Sequence, residues 1–159
     1  WTELRGEFPR AHLAVVGPFA PPDPISQGTK AIMEGDDRVH LWGEQEDVVP
    51  FYVMADFAVL PTYREGLPYV PLEAAAMELP VVASRVPGCI DIIEHGETGL
   101  LVPPRDIQRL KDALRTYLEN PLLRKGHGKS ARQQVMKKFP QGAIWQATYE
   151  EYLRLLTSR

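Results

Sequence analysis

Two glutamates stand out by their place in the chain. Glu65 lies in the run Tyr63-Arg64-Glu65-Gly66-Leu67-Pro68, and Glu73 follows it with seven residues between them. The run comes directly after a short apolar segment that reads as a strand, and Pro68 opens a segment of helical character. Both carboxylates therefore fall near one helix N-terminus. The first N–H groups of a helix lack partners and can hold phosphate oxygens, and a glycine such as Gly66 lets backbone come close to a ligand. A glutamate in a first turn can equally do no more than complement the helix dipole. Glu73 sits one or two turns in, too deep to cap the helix, so it either has another purpose or faces solvent.

Other reactive side chains form no comparable group. Arg64 adjoins Glu65 and is within reach of a phosphate there, although an exposed arginine is the ordinary state of a loop. His12, His40, His95 and His127 show no spacing that would pair them. The single Cys89 cannot form an internal disulfide, and one Cys with four scattered His offers no cluster at zinc spacing, so no metal site is expected. Gly88 suits a tight strand-to-helix turn, and Asp91 suits a helix N-terminal charge. Eighteen Lys and Arg against 21 Asp and Glu leave a net charge of -3, which provides no global positive field for a polyanion. Nucleic acid is thus not an expected partner. No apolar run approaches the roughly 20 residues of a membrane span, and Trp1-Thr-Glu-Leu-Arg-Gly-Glu does not have the form of a signal peptide. With one unpaired cysteine, a reduced cytoplasmic setting is expected.

These residues need a scaffold to hold them. At 159 residues and 44% hydrophobic, the chain has room for one domain with a sizeable core. Short apolar runs alternate with longer segments of helical period, which predicts an α/β fold: a parallel sheet with helical crossovers. Strands are expected over 12–17, 38–43, 57–62, 80–84 and 99–102, buried on both faces. Helices are expected over 25–33, 47–55, 68–78 and 88–95. After Asp106, a plausible N-cap, three helices should follow, ending near Asn120, Phe139 and Thr157. Ala20-Pro21-Pro22-Asp23-Pro24 reads as a rigid loop after the first strand. In an open parallel sheet ligands bind at the carboxyl ends of strands, which is where Glu65 stands.

The run Glu65-Gly66-Leu67-Pro68 through Leu72-Glu73-Ala74 resembles the E-x7-E motif of retaining GT-B glycosyltransferases of the group 1, or family 4, type. Around it, Leu79-Pro80-Val81-Val82-Ala83-Ser84, Pro87-Gly88 to Asp91-Ile92-Ile93, and Gly96 to Thr98-Gly99-Leu100-Leu101-Val102-Pro103 follow in the family's order. Phe139 and Tyr152 also fall where the family has aromatic residues. The resemblance implies a Rossmann-like parallel sheet with helices on both faces, the C-terminal half of a GT-B enzyme, followed by C-terminal helices. It implies that Glu65 accepts hydrogen bonds from the donor sugar and acts in catalysis. Glu73 accepts from the ribose, the N–H groups near Gly66 and Leu67 meet the diphosphate, and the loop from Trp42 to about Glu46 holds the base. A carboxylate suits such work because it takes two hydroxyl donors through charge-assisted bonds. For Trp42 the bland alternative is packing beneath its loop. The nucleotide-diphospho sugar is the donor substrate, and no cofactor or metal is implied.

Departures from the family pattern bear on the same reading. The family opens this domain with a strand ending in Gly-Arg, followed by a Lys, and neither is present here. Trp1 to Pro9 reads as the tail of the helix that should come next. Residues 1–159 are therefore expected to form a single nucleotide-sugar-binding domain, trimmed at its start and without the acceptor-binding N-terminal domain. The chain alone is expected to be inactive. Met77-Glu78-Leu79 stands where the family has a small residue and Gly, which should affect the helix end more than the chemistry. Arg124, Lys125, Lys129, Arg132, Lys137 and Lys138 on the helix after Pro121 form either a solvated face or a contact with anionic lipid. Peripheral attachment at the inner face of a membrane would follow from the second. A sugar-nucleotide epimerase of the same architecture and a noncatalytic α/β interaction module remain as alternatives.

Overall fold

A computed structural model describes residues 1–19 and 25–157, and the Pro-rich loop expected over 20–24 lies outside them. The elements alternate as the apolar pattern requires. A short helix α1 (Leu4–Glu7) precedes β1 (Leu13–Val16), α2 (Gln27–Glu34), β2 (Val39–Gly43), α3 (Val49–Met54) and β3 (Ala58–Leu60). Then come α4 (Tyr69–Ala76), β4 (Val81–Ser84), α5 (Cys89–Ile92) and β5 (Gly99–Val102). The chain ends in α6 (Ile107–Glu119), α7 (Pro121–Lys138) and α8 (Gln141–Thr157). Asp106 caps α6 as expected, its carboxylate accepting from the N–H of Arg109 at 2.9 Å.

All strand pairs are parallel, but they form two sheets. β1 pairs with β2, and β3-β4-β5 form the second sheet in that order. Among the described residues β1 and β3 do not pair, so each presents one edge without a ladder partner. On the three-stranded sheet, Val81, Ala83 and Leu101 pack with Ala74 of α4 and Cys89 and Ile92 of α5. Val82 and Val102 point the opposite way, against Ala113 and Tyr117 of α6. Helices thus cover both faces of this sheet. β4 is buried at every residue, as expected for a strand between two layers.

The expectation of burial on both faces fails for β1 and β2. Ala14 and Val16 are exposed, as are His40 and Trp42, because α2 lies against β2 with no buried residue of its own. The first helix ties the sheets together instead. Glu3 pairs with Lys111, and Glu7 with Arg115 of α6 at 2.8 Å. On the other side Arg5 pairs with Asp36 at 3.1 Å, and Arg38 donates to the carbonyls of Phe8 and Arg5 at 2.9 and 2.8 Å. The Trp1 indole donates to Asp36 at 2.7 Å. That bond, the Arg38 N–H and the Arg5 charge hold the Asp36 carboxyl below the usual carboxylate range against the desolvation that opposes them.

Two helix ends depart from expectation. α5 stops at Ile92 rather than His95, because Ile93 is extended and Thr98 Oγ1 accepts from the Glu94 N–H at 2.9 Å. His95 Nδ1 accepts from the Leu101 N–H at 2.9 Å, closing a turn onto β5. α4 stops at Ala76, and Glu78 takes the left-handed conformation (φ 59°) that glycine adopts without strain. The missing Gly of the family pattern therefore registers as backbone strain at this turn. α7 crosses so close that a Cβ on Gly128 would lie 1.9 Å from the Glu78 carbonyl oxygen.

Candidate functional site

The loop leaving β3 is shaped from within. Thr62 Oγ1 accepts from the Arg64 N–H at 3.4 Å and donates to the Arg64 carbonyl at 3.1 Å, turning the chain before Glu65. The loop then enters α4 through Pro68, whose extended backbone makes no side-chain cap. Pro71 has no N–H, so the first turn of α4 offers those of Tyr69 and Val70. Nothing lies within 4 Å of where a Gly66 Cβ would be, which leaves that backbone open on one side.

The next strand-to-helix turn packs directly against this loop. Gly88 has φ +80°, and a Cβ there would lie 2.2 Å from the Gly66 carbonyl oxygen and 3.0 Å from Pro68 Cδ. Only glycine fits, both by conformation and by space. Asp91 accepts from the Gly88 N–H at 3.2 Å, so this carboxylate serves the turn. Beneath the contact, burial and then the Glu65 charge push the Cys89 thiol up to about 11. The thiol therefore stays protonated at neutral pH.

Glu73 faces neither solvent alone nor the helix end. Its Oε2 accepts from the Tyr52 hydroxyl of α3 at 2.9 Å, in a half-buried position. Burial first, then that bond and the Glu73 charge, raise the Tyr52 hydroxyl well above its ordinary value and keep it a donor. Trp42, at the carboxyl end of β2, is 49% exposed and meets Phe51 edge-on, with centroids 5.3 Å apart. The bland expectation of packing beneath its loop is met only in part, because about half of the residue's surface remains exposed. Its carbonyl accepts from Gln45 Nε2 at 2.7 Å. Adjacent residues of one short helix, Phe51 and Tyr52, therefore touch Trp42 and Glu73.

The structure brings Glu65, Gly66 and Leu67 into one loop beside Gly88 and places Glu73 on the helix that follows. Arg64 is exposed, its backbone held by Thr62. The sequence reading did not single out Tyr52, because a contact across 21 residues leaves no spacing to read. It also passed over Arg105, whose guanidinium lies 5.0 Å over the Tyr63 ring at the carboxyl ends of the strands. Its place in the loop after β5 was the available signal. The four histidines, whose spacing paired none of them, all have structural partners: His12 and His40 stack with a 3.0 Å nitrogen contact, His127 Nδ1 lies 2.9 Å from the Tyr117 hydroxyl, and His95 Nδ1 accepts from the Leu101 N–H. Three of the six α7 cations bind this chain, Arg124 to Asp56, Arg132 to the Ala76 carbonyl and Lys138 to Glu94. Among the described residues no group of three or more His, Cys, Asp or Glu is placed to hold a metal ion. No helix among them is long and apolar enough to cross a membrane.

Comparison with known proteins gives a consistent answer. The family model described as glycosyl transferases group 1 matches residues 1–120. A capsular polysaccharide biosynthesis glycosyltransferase, CapM of Staphylococcus aureus, is 30% identical over 140 residues, covering 88% of this chain and 37% of that protein. Glycogen synthase of Mycobacterium tuberculosis is 36% identical over 99 residues, 62% of this chain and 24% of that protein. Among solved structures, sucrose-phosphate synthase from Thermosynechococcus elongatus superposes with a TM-score of 0.85 at 29% identity, covering 99% of this chain and 41% of that one. Anabaena HepE, in a structure with UDP-glucose, has the same fold, with a TM-score of 0.83 at 24% identity over 92% of this chain and 42% of that one. The chain spans well under half the length of each of these proteins. From the GT-B fold and the family match together, the chain belongs to the group 1 glycosyltransferases.

Proposed function

We propose that this chain is the donor-binding half of an enzyme that moves a glycosyl unit from a nucleotide-diphospho sugar to an acceptor with retention of anomeric configuration. One observation carries the reading: an uncapped helix N-terminus beside the Gly66–Gly88 contact, flanked by Glu65 in the loop and by Glu73 with one carboxylate oxygen engaged. The diphosphate lies against the N–H groups of Gly66 and Leu67 and the start of α4, where backbone dipoles offset its charge. Glu65 is the catalytic residue, accepting from hydroxyls of the donor sugar and orienting the reacting carbon. Glu73 accepts from the ribose, and the exposed part of Trp42 meets the base.

In this reading the acceptor is held by a separate domain, and a strand ahead of β1 fills the lane between β1 and β3 and brings two cations to the diphosphate. The unpaired edges of β1 and β3 support that arrangement. The 159-residue chain by itself is inactive, and no metal or cofactor takes part. Transferases and synthases as relatives do not favour the epimerase alternative.

The test uses the full-length enzyme. Glu65→Ala should mainly lower turnover, because it contacts the reacting sugar. Glu73→Ala should mainly weaken nucleoside diphosphate binding, by about 1–3 kcal/mol in calorimetry. Equal losses of nucleotide affinity in the two variants would contradict the assigned roles. Inversion at the anomeric carbon, or loss of transfer on adding a chelator, would overturn the proposed reaction.

A further inference from the structure

A carboxylate that must receive a ligand on one oxygen gains from having the other fixed. Glu73 is in that state: Oε2 accepts from Tyr52, and among the described residues no hydrogen bond reaches Oε1. The Tyr52 ring is anchored in turn, since it packs against the cluster of Ala74, Leu79, Val81 and Cys89 beneath α4. The core thus holds the ring, and the hydroxyl donates to Glu73.

From this geometry, and resting on the role proposed for Glu73, we infer that Tyr52 is the positioning residue of the donor site, turning Oε1 of Glu73 toward the ribose through the bond it makes to Oε2. A phenol suits the task. At neutral pH it stays protonated here and donates one bond, so it fixes the carboxylate without bringing a second charge and without competing as an acceptor for the ribose hydroxyls. The choice of α3 also matters. Its neighbouring Phe51 sets the edge of Trp42, so one six-residue helix joins the two residues proposed to hold the nucleoside. Losing the hydroxyl leaves the aromatic packing in place but lets the Glu73 carboxylate turn among rotamers, a cost that falls on ribose recognition alone.

The experiment measures Kd by calorimetry on the full-length enzyme for whichever of UDP, GDP and ADP binds best, and for its 2′,3′-dideoxyribose counterpart. Tyr52→Phe should raise Kd for the ribonucleotide roughly 3- to 10-fold, the loss expected of one modest hydrogen bond. It should leave Kd for the dideoxy compound unchanged and, in kinetics, raise the donor KM with kcat preserved. In a Glu73→Gln background the same change should have no further effect. If Glu73→Gln weakens ribonucleotide binding but Tyr52→Phe does not, the inference fails and the role of Glu73 stands. Equal weakening of both compounds by Tyr52→Phe also overturns the inference, assigning Tyr52 to packing. If Glu73→Gln leaves ribonucleotide binding intact, the ribose role of Glu73 fails and takes the inference with it.

Discussion

The β1–β2 pair and the β3–β4–β5 sheet are built from similar short apolar runs, yet they end in different surroundings. Val82 and Ala83 of β4 have no exposed surface, whereas Val16 of β1 is 37% exposed. The three-stranded sheet lies between α4 and α5 on one side and α6 on the other, and α7 packs behind α4 through Ala75, Ala131 and Val135. The two-stranded sheet has α2 beside it, and charged bonds through α1 join it to α6. The lesson is that apolar character makes a strand eligible for a core, while the helices laid over it decide whether one forms. The proposed site draws on both regions, with Glu65 in the loop after β3 and Glu73 on α4 beside the buried sheet, and Trp42 on the open one.

Matched truncations offer the strongest way to break this contrast. Leu101→Ala in β5 removes a side chain that is 5% exposed and should cost about 2–5 kcal/mol in urea unfolding, from lost transfer energy plus a residual cavity. Leu13→Ala in half-buried β1 should cost about 1 kcal/mol, because a partly solvated site leaves a smaller cavity. Similar costs at both sites would mean the two sheets are equally well packed. Amide hydrogen exchange should rank them the same way, with β1 and β2 exchanging before β4 and β5.

The close approach of α7 sharpens the contrast from the buried side. Gly128→Ala sets a methyl against the Glu78 carbonyl, and repacking should cost about 1–3 kcal/mol. A thermal midpoint equal to that of the unaltered protein would show that the contact yields freely. A smaller effect of opposite sign is expected next door. Glu78→Gly relieves a left-handed residue at the end of α4, and the gain should be about 0.5–1 kcal/mol after the added chain entropy of glycine. A loss measured there would mean that the ion pair of Glu78 with Arg132, at 4.0 Å, outweighs the strain.

Acid should find the buried half by a route of its own. Burial, with a lesser push from His95, holds the His127 imidazole below its ordinary value although a backbone hydrogen bond at Gly96 works the other way. Such a group binds its proton more readily in the unfolded chain. Its contribution is therefore complete above the ordinary histidine value of about 6.5 and declines as pH falls below it. Unfolding midpoints followed from pH 8 to 5 should show a decline that His127→Gln removes. A slope that persists in the variant would assign the acid response to another group.

The order of elements was legible from residue pattern alone. Gly99–Val102 was placed to the residue, and the first two of the three terminal helices end at the breaks marked by Asn120 and Phe139. Local rules suffice there, because period, caps and proline act within a few residues. The placement of Glu65 in a loop and Glu73 on the next helix was legible as well, since Gly66 and Pro68 mark that boundary within a few residues. Long-range pairing was not. Tyr52 meets Glu73, Gly88 presses on Gly66, and Arg115 reaches Glu7 only after the strands have set their helices side by side. Exposure was likewise invisible: Val15 and Val82 are the same residue in similar runs, and only the layers above each strand make the second one core. Periodicity is a property of the neighbouring chain, whereas contact and burial depend on which distant segment arrives, and that is decided by packing in three dimensions.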